Sequence, residues 1–301
     1  MAINRADIAK QLLPGLNAIF GLEYAAVDEE ERPLFDMENS DRAFEEEVLM
    51  TGFGAAPTKA EGAAVVYDTA QESWTSRYTA ETVALAFAVT EEAMEDNLYD
   101  TFAKVRARAL ARAMAQTKQV KAANVYNNGF TAGFVGGDGV VLFSAAHPTV
   151  GDGNQSNLET AADLSEGTLE TAIINTHKMK DDRGIFIGAS PVSLHVAPDG
   201  QFDADRILAS PGRPNTDLND INAVRNLGLV PNGYYVNRRF TDADAWFLRN
   251  DCPNGTKMFM RAPLATKMEP DFDTGNLRFK ARERYSFGWS DWRQWRGNKG
   301  V

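Results

Sequence analysis

The sequence predicts an α+β fold, in which extended segments near both ends of the chain flank one long helix and a lobe of mixed helices and strands. Three patterns support this prediction. Apolar residues recur at helical spacing over 90–125, helix and strand signals alternate over 150–250, and apolar and basic residues alternate over 279–289. Of the 301 residues, 44% are hydrophobic and 24% are charged. This composition is typical of a globular chain with one large core or two smaller ones, and it excludes a disordered, collagenous or coiled-coil protein.

The cysteine content and the lengths of the apolar runs exclude further classes. Cys252 is the only cysteine, so neither an internal disulfide nor a cysteine-built zinc site can form. The longest uninterrupted apolar run, Val83–Val89, is far shorter than the ~20 residues of a membrane-spanning helix. Asp7 and Lys10 interrupt the apolar residues near the N-terminus, so we expect no secretory signal. The sequence therefore predicts a protein of a reducing compartment.

The charges are unevenly distributed along the chain. The net charge is −11, which argues against a protein that binds nucleic acid by neutralising phosphates. Residues 1–80 carry a net charge of −9, and residues 255–301 carry a net charge of +5. The two ends could be separate solvated surfaces, which is the usual role of charged segments, or they could meet head to tail between copies of the chain. Charge alone favours the solvated surfaces.

The first 47 residues are predicted to form an arm rather than a domain. Ile8, Leu12, Leu16 and Ile19 recur at helical spacing and predict a short amphipathic helix. Because the rest of the segment is polar and acidic, we expect the arm to bury little and to be loose in the isolated subunit. Two acidic triplets follow the helix: Glu29, Glu30 and Glu31, then Glu45, Glu46 and Glu47.

Residues 52–89 are predicted to be extended. Ala63–Tyr67 predicts a short strand, Asp68–Ser73 is rich in turn formers, and Trp74–Val89 is dominated by residues that favour strands. Together these signals predict a projecting hairpin.

Thr90–Val125 carries the strongest local signal, that of a long helix. Thr90 is a suitable N-cap, and Asn127 with the residues after it ends the helix. Acidic residues come first and basic residues follow, which is the order that the helix dipole favours. At ~35 residues this helix would be roughly 50 Å long. The residues predicted to form its buried face are Met94, Leu98, Phe102, Val105, Ala109 and Ala113.

The remaining residues predict a mixed lobe and a C-terminal strand. Ser165–Lys180 is predicted to be a helix capped by Ser165 with Thr168, Ser193–Val196 a strand and Phe202–Ala209 a short helix. Over 279–289 one predicted face is apolar apart from Glu283, and the other is basic. Three tryptophans close the segment, and clustered tryptophans more often anchor the end of a sheet than stack nucleic-acid bases. They are Trp289, Trp292 and Trp295.

No residue pattern indicates a convincing active site. His147, His177 and His195 are not at metal-ligand spacing, and no Walker A motif or complete dinucleotide-binding fingerprint is present. Ser144 and His147 are neighbours in sequence, but the nucleophile elbow of a serine hydrolase does not surround the serine. We therefore expect no catalytic residue, cofactor site or metal site. A hydrolase that uses Ser144 and His147 stays open as an alternative.

The order of arm, hairpin, long helix, mixed lobe and closing sheet resembles the Hong Kong 97 fold of the major capsid proteins of tailed phages. Four segments are similar to the Mu-like prophage major head subunit family, so that the resemblance spans nearly the whole chain. These segments are 16–20, with the sequence LNAIF, 50–57, 138–148, with the sequence DGVVLFSAAHP, and 283–292, with the sequence ERYSFGWSDW.

The resemblance implies a domain organisation. It places an N-terminal arm over 1–47 and over 48–85 a hairpin, the E-loop, that lies across a neighbouring subunit. A peripheral (P) domain over 86–139 would contain the long helix, and an axial (A) domain would follow over 140–250. Residues 251–301 would return to the sheet of the P domain.

The resemblance also implies function and partners. It describes a structural protein, not an enzyme, that forms hexamers and pentamers in an icosahedral shell and encloses double-stranded DNA without sequence-specific binding. A separate scaffolding protein, a portal and a candidate decoration protein would be partners, and no membrane is involved. The expected location is the virion, after assembly in the cytoplasm of the bacterial host. An encapsulin-like compartment with the same fold is the second alternative.

Candidate residues for subunit contact follow from the charge split and the hairpin. The hairpin contains a single lysine, and no local motif identifies an asparagine partner for it, so we expect no covalent crosslink of the kind found in the founding member of the fold. The candidates are Glu29, Glu30, Glu31, Glu45, Glu46, Glu47, Lys59, Trp74, Arg293 and Arg296.

Overall fold

The computed structural model describes residues 16–90, 92, 99–212, 220–271 and 274–301. Within them, no helix has both the length and the apolar composition to cross a membrane. The strands are β1 (Asp36–Asn39), β2 (Phe44–Met50), β3 (Glu72–Thr79), β4 (Glu81–Val89), β5 (His147–Pro148), β6 (Asn154–Gln155), β7 (Pro191–Val196), β8 (Tyr234–Val236), β9 (Trp246–Asn250), β10 (Thr256–Pro270), β11 (Leu277–Trp289) and β12 (Trp295–Asn298). The helices are α1 (16–25), α2 (Tyr99–Asn127), α3 (Glu166–His177), α4 (Gln201–Ala209) and α5 (Ala223–Asn226).

The first sheet is built around the two longest strands and has the order β1-β10-β11-β4. β10 and β11 are antiparallel, β11 and β4 are antiparallel, and β1 runs parallel to β10. Along β11 the predicted alternation is confirmed over 279–285, where Phe279, Ala281 and Tyr285 are buried and Lys280 and Arg282 are exposed, but it ends at Ser286, which is buried. The buried face of this sheet therefore supports the helices that pack on it.

The long helix α2 lies on that face, but the predicted apolar stripe is wrong. Val105 is 56% exposed and Ala109 is also exposed, whereas Ala107 and Ala111 are fully buried. Small side chains let the helix axis approach the sheet closely, and six of the eleven buried side chains among the described residues of α2 are alanines. Met94 and Leu98, and the side chain of Phe102, lie outside the described residues. The buried side chains of α2 are Ala103, Ala107, Leu110, Ala111, Met114, Ala115, Lys118, Gln119, Ala122, Ala123 and Tyr126.

The described part of the N-terminal arm buries more than the sequence predicted. Leu16 and Phe20 of α1 pack with Phe279 against the face of α2, and Leu34 and Phe35 enter the central core. The helix predicted from Leu16 and Ile19 is confirmed over 16–25, while Ile8 and Leu12 lie outside the described residues. The arm therefore buries apolar side chains although its overall composition is acidic.

The mixed lobe carries the second sheet, of order β12-β9-β7-β8, with α3 and α4 packed around it. The capping box of α3 is confirmed, because the Ser165 side chain accepts a hydrogen bond from the backbone of Thr168 and the Thr168 side chain accepts one from the backbone of Ser165. The strand predicted at Ser193–Val196 and the helix predicted at Phe202–Ala209 are confirmed as β7 and α4.

The tryptophans of the C-terminal end anchor the core, as predicted. Trp292 and Trp295 are 1% and 0% exposed and belong to the central cluster with Tyr126 and Phe143. The Trp295 ring lies 4.8 Å from that of Tyr126, and its indole nitrogen donates to Thr256 Oγ1 at 2.9 Å. This cluster joins the first sheet, the second sheet and α2.

Candidate subunit-contact surfaces

The projecting element is a hairpin formed by β2 and β3 and closed by a long loop. β2 and β3 pair from Phe44 with Thr79 to Met50 with Glu72. At its base, Thr51 N donates to Gln71 O at 2.8 Å, and Gln71 N donates to Thr51 Oγ1 at 2.9 Å. The predicted strand at Ala63–Tyr67 is wrong, because these residues lie in the loop and have no regular secondary structure. We call residues 51–71 the hairpin loop.

One carboxylate holds the two sides of the hairpin loop together and links them to the mixed lobe. Asp68 Oδ2 accepts a hydrogen bond from Gly54 N at 2.7 Å, and Arg183 Nη2 donates to both oxygens of Asp68, at 3.0 and 3.2 Å. The backbone hydrogen bonds from Gly54 and Thr69 hold the pKa of Asp68 below its usual range, and Arg183 adds to the effect. Arg183 has no motif around it that could have indicated this role.

The far part of the hairpin loop presents apolar side chains to solvent. Val65, Val66 and Tyr67 are 66%, 68% and 93% exposed, and Phe53 near the base is 62% exposed. Lys59 lies in the same loop and is exposed. Such a row of exposed apolar residues on a projecting loop is typical of a surface that contacts another molecule.

The strands at the base of the hairpin are tied to the C-terminal end of the same chain. The indole nitrogen of Trp74 donates to Ser290 O at 2.9 Å. Glu47 pairs with Lys257 and accepts a hydrogen bond from Ser290 Oγ. Burial opposes protonation of Lys257, but the hydrogen bonds that the lysine donates to Glu47 and Glu38 outweigh it and raise the pKa of the lysine. Trp74 and Glu47 therefore have partners inside the subunit.

The other two residues of the second acidic triplet also have partners within the subunit. Glu45 accepts a hydrogen bond from Ser40 Oγ at 2.7 Å and lies 4.0 Å from Arg42. Glu46 lies 3.8 Å from Arg77 and is about half exposed. Of this triplet, Glu46 is the residue whose side chain is most open to solvent.

The first acidic triplet divides between the surface and the interior. Glu29 is exposed and pairs with the nearby Arg32. Glu30 Oε1 pairs with Arg239 at 2.6 Å, and Glu31 Oε1 pairs with Lys118 Nζ at 2.9 Å in a site where both side chains are buried. Glu31 is therefore corrected from a subunit-contact residue to a core residue. Each residue of this triplet has a partner within the subunit, although Arg32, Arg239 and Lys118 all lie outside the basic segment 255–301.

The two tail arginines are buried, so their prediction as subunit-contact residues is wrong. Arg293 is 4% exposed and pairs with Asp182 at 2.7 Å, while its Nε donates to Lys180 O at 3.0 Å. Arg296 is 6% exposed and pairs with Glu159. A guanidinium group has donors enough to satisfy several buried acceptors, and here both arginines do so inside the subunit.

Ser144 and His147 do not form a hydrolase site. The ring nitrogens of His147 are taken up by Asp138 Oδ2 at 2.6 Å and Asn157 Oδ1 at 3.0 Å, and its ring stacks on Trp292 at 4.4 Å. Ser144 Oγ instead accepts a hydrogen bond from Ala146 N. Neither nitrogen of His147 is thus free to take a proton from the serine, as nucleophilic catalysis requires.

The other two histidines also occupy structural positions. Burial lowers the pKa of His195 to about 3, so its ring is neutral. His195 Nε2 forms a hydrogen bond of 2.9 Å with Ser193 Oγ. His177 Nδ1 lies 3.1 Å from Ala189 O. In the part of the chain that the structure describes, no three His, Cys, Asp or Glu side chains are grouped in a way that could hold a metal ion.

Solved structures of similar fold cover nearly the whole chain. The capsid of a native GTA particle matches with a TM-score of 0.55 and 15% identity, covering 92% of each chain. A structure of Mycobacterium phage Adephagia matches with a TM-score of 0.54 and 12% identity, covering 100% of this chain and 99% of that one. The procapsid of bacteriophage JBD30 matches with a TM-score of 0.52 and 14% identity, covering 99% and 77%. The predicted Hong Kong 97-type capsid fold is confirmed.

The sequence itself gives the family. No curated protein matches the chain. The family described as phage capsid protein matches residues 71–297, from the end of the hairpin loop to the last strand. This range is well over half of the chain and includes α2, most of the second sheet and every strand of the first sheet except β1, and the protein belongs to the phage capsid protein family.

Proposed function

We propose that this protein is the major head subunit of a Mu-like phage and that identical copies assemble into an icosahedral shell around double-stranded DNA. The observation that carries the proposal is the pairing of capsid family membership with a projecting hairpin loop whose apolar residues are exposed in the isolated subunit. Apolar side chains on a projecting loop gain most by burial against another copy. Hexamers and pentamers then form through heterologous contacts, in which different surfaces of neighbouring copies meet.

The domain organisation implied by the resemblance is part of this proposal. Residues 1–47 would be the N-terminal arm, 48–85 the E-loop, 86–139 and 251–301 the P domain, and 140–250 the A domain. The β2 strand of the hairpin begins at Phe44, which supports a start of the E-loop a few residues before 48. On this division the hairpin loop is the part of the E-loop that reaches a neighbour.

Among the candidate contact residues, the exposed ones keep that role in the proposal. Lys59 lies in the hairpin loop, and Glu29 and Glu46 are about half exposed on the acidic part of the chain. Glu45 and Glu47 are partly buried, at 22% and 25% side-chain exposure. Partners beyond further copies of the chain would be a scaffolding protein, a portal and a decoration protein. The product would be a virion capsid assembled in the bacterial cytoplasm, with no catalytic role.

Assembly of the purified chain tests the proposal. The full chain, alone and with the candidate scaffolding protein of the same phage, is examined by sedimentation velocity and negative-stain electron microscopy. The proposal predicts closed hollow particles. A species no larger than a dimer under every assembly condition would contradict it. Particles that carry an enzyme cargo and no portal would instead support the encapsulin-like compartment.

A further inference from the structure

A polar cluster is buried where the N-terminal arm, the long helix and the first sheet meet. Glu283 of β11 is a carboxylate on the apolar face of the strand, where it pairs with Val83 of β4, and it is only 1% exposed. Tyr24 and Glu31 come from the arm, and Lys118 comes from α2. We call Tyr24, Glu31, Lys118, Glu283 and Tyr285 the arm cluster.

The hydrogen bonds of the arm cluster are incomplete. Lys118 Nζ lies 2.9 Å from Glu31 Oε1, and Tyr24 Oη donates to Glu283 Oε2 at 3.2 Å. The other oxygen of each carboxylate, Glu31 Oε2 and Glu283 Oε1, is buried without a hydrogen-bond partner among the described residues, as is Tyr285 Oη. Buried polar atoms are almost always paired, so three orphaned oxygens in one cluster require an explanation.

The charges of the arm cluster are also unbalanced. Two carboxylates share one ammonium group, Lys118, in a place that is shielded from water. Other charged groups near the cluster are Glu81 of β4, which pairs with Lys121 of α2, and Arg261, which occupies the β10 bulge opposite Arg284 and Tyr285 and whose Nε is itself buried without a hydrogen-bond partner among the described residues. One additional proton would neutralise the cluster and would turn one carboxyl oxygen from an acceptor into a donor.

We propose that the arm cluster is a buried proton-binding site that fastens the arm to the long helix and the sheet when it holds the proton, and loosens the arm when the proton leaves. The proton resides on Glu283, which has no cation of its own at salt-bridge distance among the described residues, whereas Glu31 pairs with Lys118. The arm is the element that moves, because it contributes Tyr24 and Glu31 through a short helix and an irregular segment, while Glu283 is fixed in the centre of the first sheet.

The electrostatics of Glu283 agree with this geometry. Burial raises its pKa, and the neighbouring Lys118 and the hydrogen bond from Tyr24 offset this only in part. An acid whose pKa is higher in the folded than in the unfolded state stabilises the fold fully below its ordinary pKa, and this stabilisation is lost as the pH rises through the folded value. Attachment of the arm is therefore strongest in mild acid and weakens towards higher pH.

The pH dependence of folding in two variants tests the proposal. Denaturant unfolding of the full chain is measured from pH 4.5 upward for the wild type, for Glu283→Gln and for Glu269→Gln, whose carboxylate is exposed on the neighbouring strand. We expect the wild-type folding constant to fall, relative to Glu283→Gln, by up to about tenfold per pH unit between the ordinary and the raised pKa. Glu269→Gln keeps the wild-type fall. Equal pH profiles for the wild type and Glu283→Gln would overturn the proposal.

A measurement on the wild type alone covers the case in which Glu283→Gln does not fold. Amide hydrogen exchange, corrected for the intrinsic effect of pH, is followed for peptides from 16–35 and from α3. We expect protection of the arm peptides to drop as the pH rises from 5 to 8, while protection of α3 in the mixed lobe does not change. Protection of the arm that is constant, or that rises with pH, would refute the proton-binding site.

Discussion

The hairpin loop and the C-terminal tail (290–298) differ in where their side chains find partners. In the tail, Trp295 is fully buried and Arg296 pairs with Glu159 in the interior. In the hairpin loop, Tyr67 is 93% exposed and its apolar neighbours are about two thirds exposed. The large side chains of the tail are buried within one subunit, whereas the exposed apolar side chains of the loop can be buried only against another molecule. We conclude that the tail stabilises the subunit and that the loop is available to join subunits.

Among the variants that test this comparison, Trp295→Ala in the tail is expected to lose the most stability. The substitution removes a ring packed against Tyr126 and a hydrogen bond to Thr256, and it leaves a cavity at the junction of both sheets. We expect a loss of about 3–5 kcal/mol in the free energy of unfolding, measured by denaturant titration. Tyr67→Ala in the hairpin loop serves as the control and should change stability by less than about 0.5 kcal/mol. Equal losses for the two variants would remove the contrast between the two regions.

The next effect concerns the charge of the tail. Arg296→Met leaves Glu159 buried without its cation, and we expect a loss of about 3 kcal/mol in unfolding free energy. Adding Glu159→Gln should recover more than half of the lost unfolding free energy, because the side-chain oxygen of the glutamine can still accept the hydrogen bond from Asn175 Nδ2. If the Arg296→Met subunit had wild-type stability but failed to assemble, Arg296 would be a subunit-contact residue after all.

A smaller effect distinguishes the two faces of the long helix. Ala107→Leu inserts three carbon atoms where the helix packs against the sheet, and overpacking of this kind costs about 1–3 kcal/mol. Ala109→Leu makes the same change on the exposed face and should stay within about 0.5 kcal/mol of the wild type. Thermal unfolding of both variants compares them directly, and a reversed order would mean that the helix is rotated from the position described.

The smallest effect is expected at the attachment of the hairpin loop. Asp68→Asn weakens the hydrogen bond from Gly54 and the pair with Arg183, so trypsin should cleave faster after Lys59 with no measurable change in global stability. Because the pKa of Asp68 is lowered, its contribution is present above the ordinary pKa of aspartate and is lost as the pH falls through the lower folded value. Wild-type loop protection should therefore persist in mild acid. Unchanged cleavage in the variant would show that the loop is held by other contacts.

Local sequence signals predicted those parts of the fold that local physics determines. The capping pair of Ser165 and Thr168 fixes the start of α3, and the alternation along β11 fixes which of its faces is buried. The stop signal at Asn127 likewise gave the end of α2. In each case the residues that form the sequence pattern also make the contacts that define the element.

The errors arise where distant residues decide the outcome. An alanine such as Ala107 adds little to a hydrophobic pattern, yet it is buried because its small side chain lets the helix approach the sheet closely. The acidity of Glu31 predicts solvent, but Lys118 lies 87 positions further along the chain and pairs with it inside the core. Strand formers at Val65 and Val66 have no partner strand within the described residues, so they remain in a loop. Of the candidate contact site, the sequence could locate the hairpin but not which side chains stay free.

Assembly of a hairpin-loop variant tests the central claim most directly. In Val65→Asp/Tyr67→Asp two exposed apolar side chains become charged, and their burial against another copy would then be costly. The account predicts a subunit that unfolds within about 0.5 kcal/mol of the wild type but forms no shells in sedimentation velocity and electron microscopy. Normal shells from the folded variant would contradict the claim that the exposed apolar residues of this loop join the subunits.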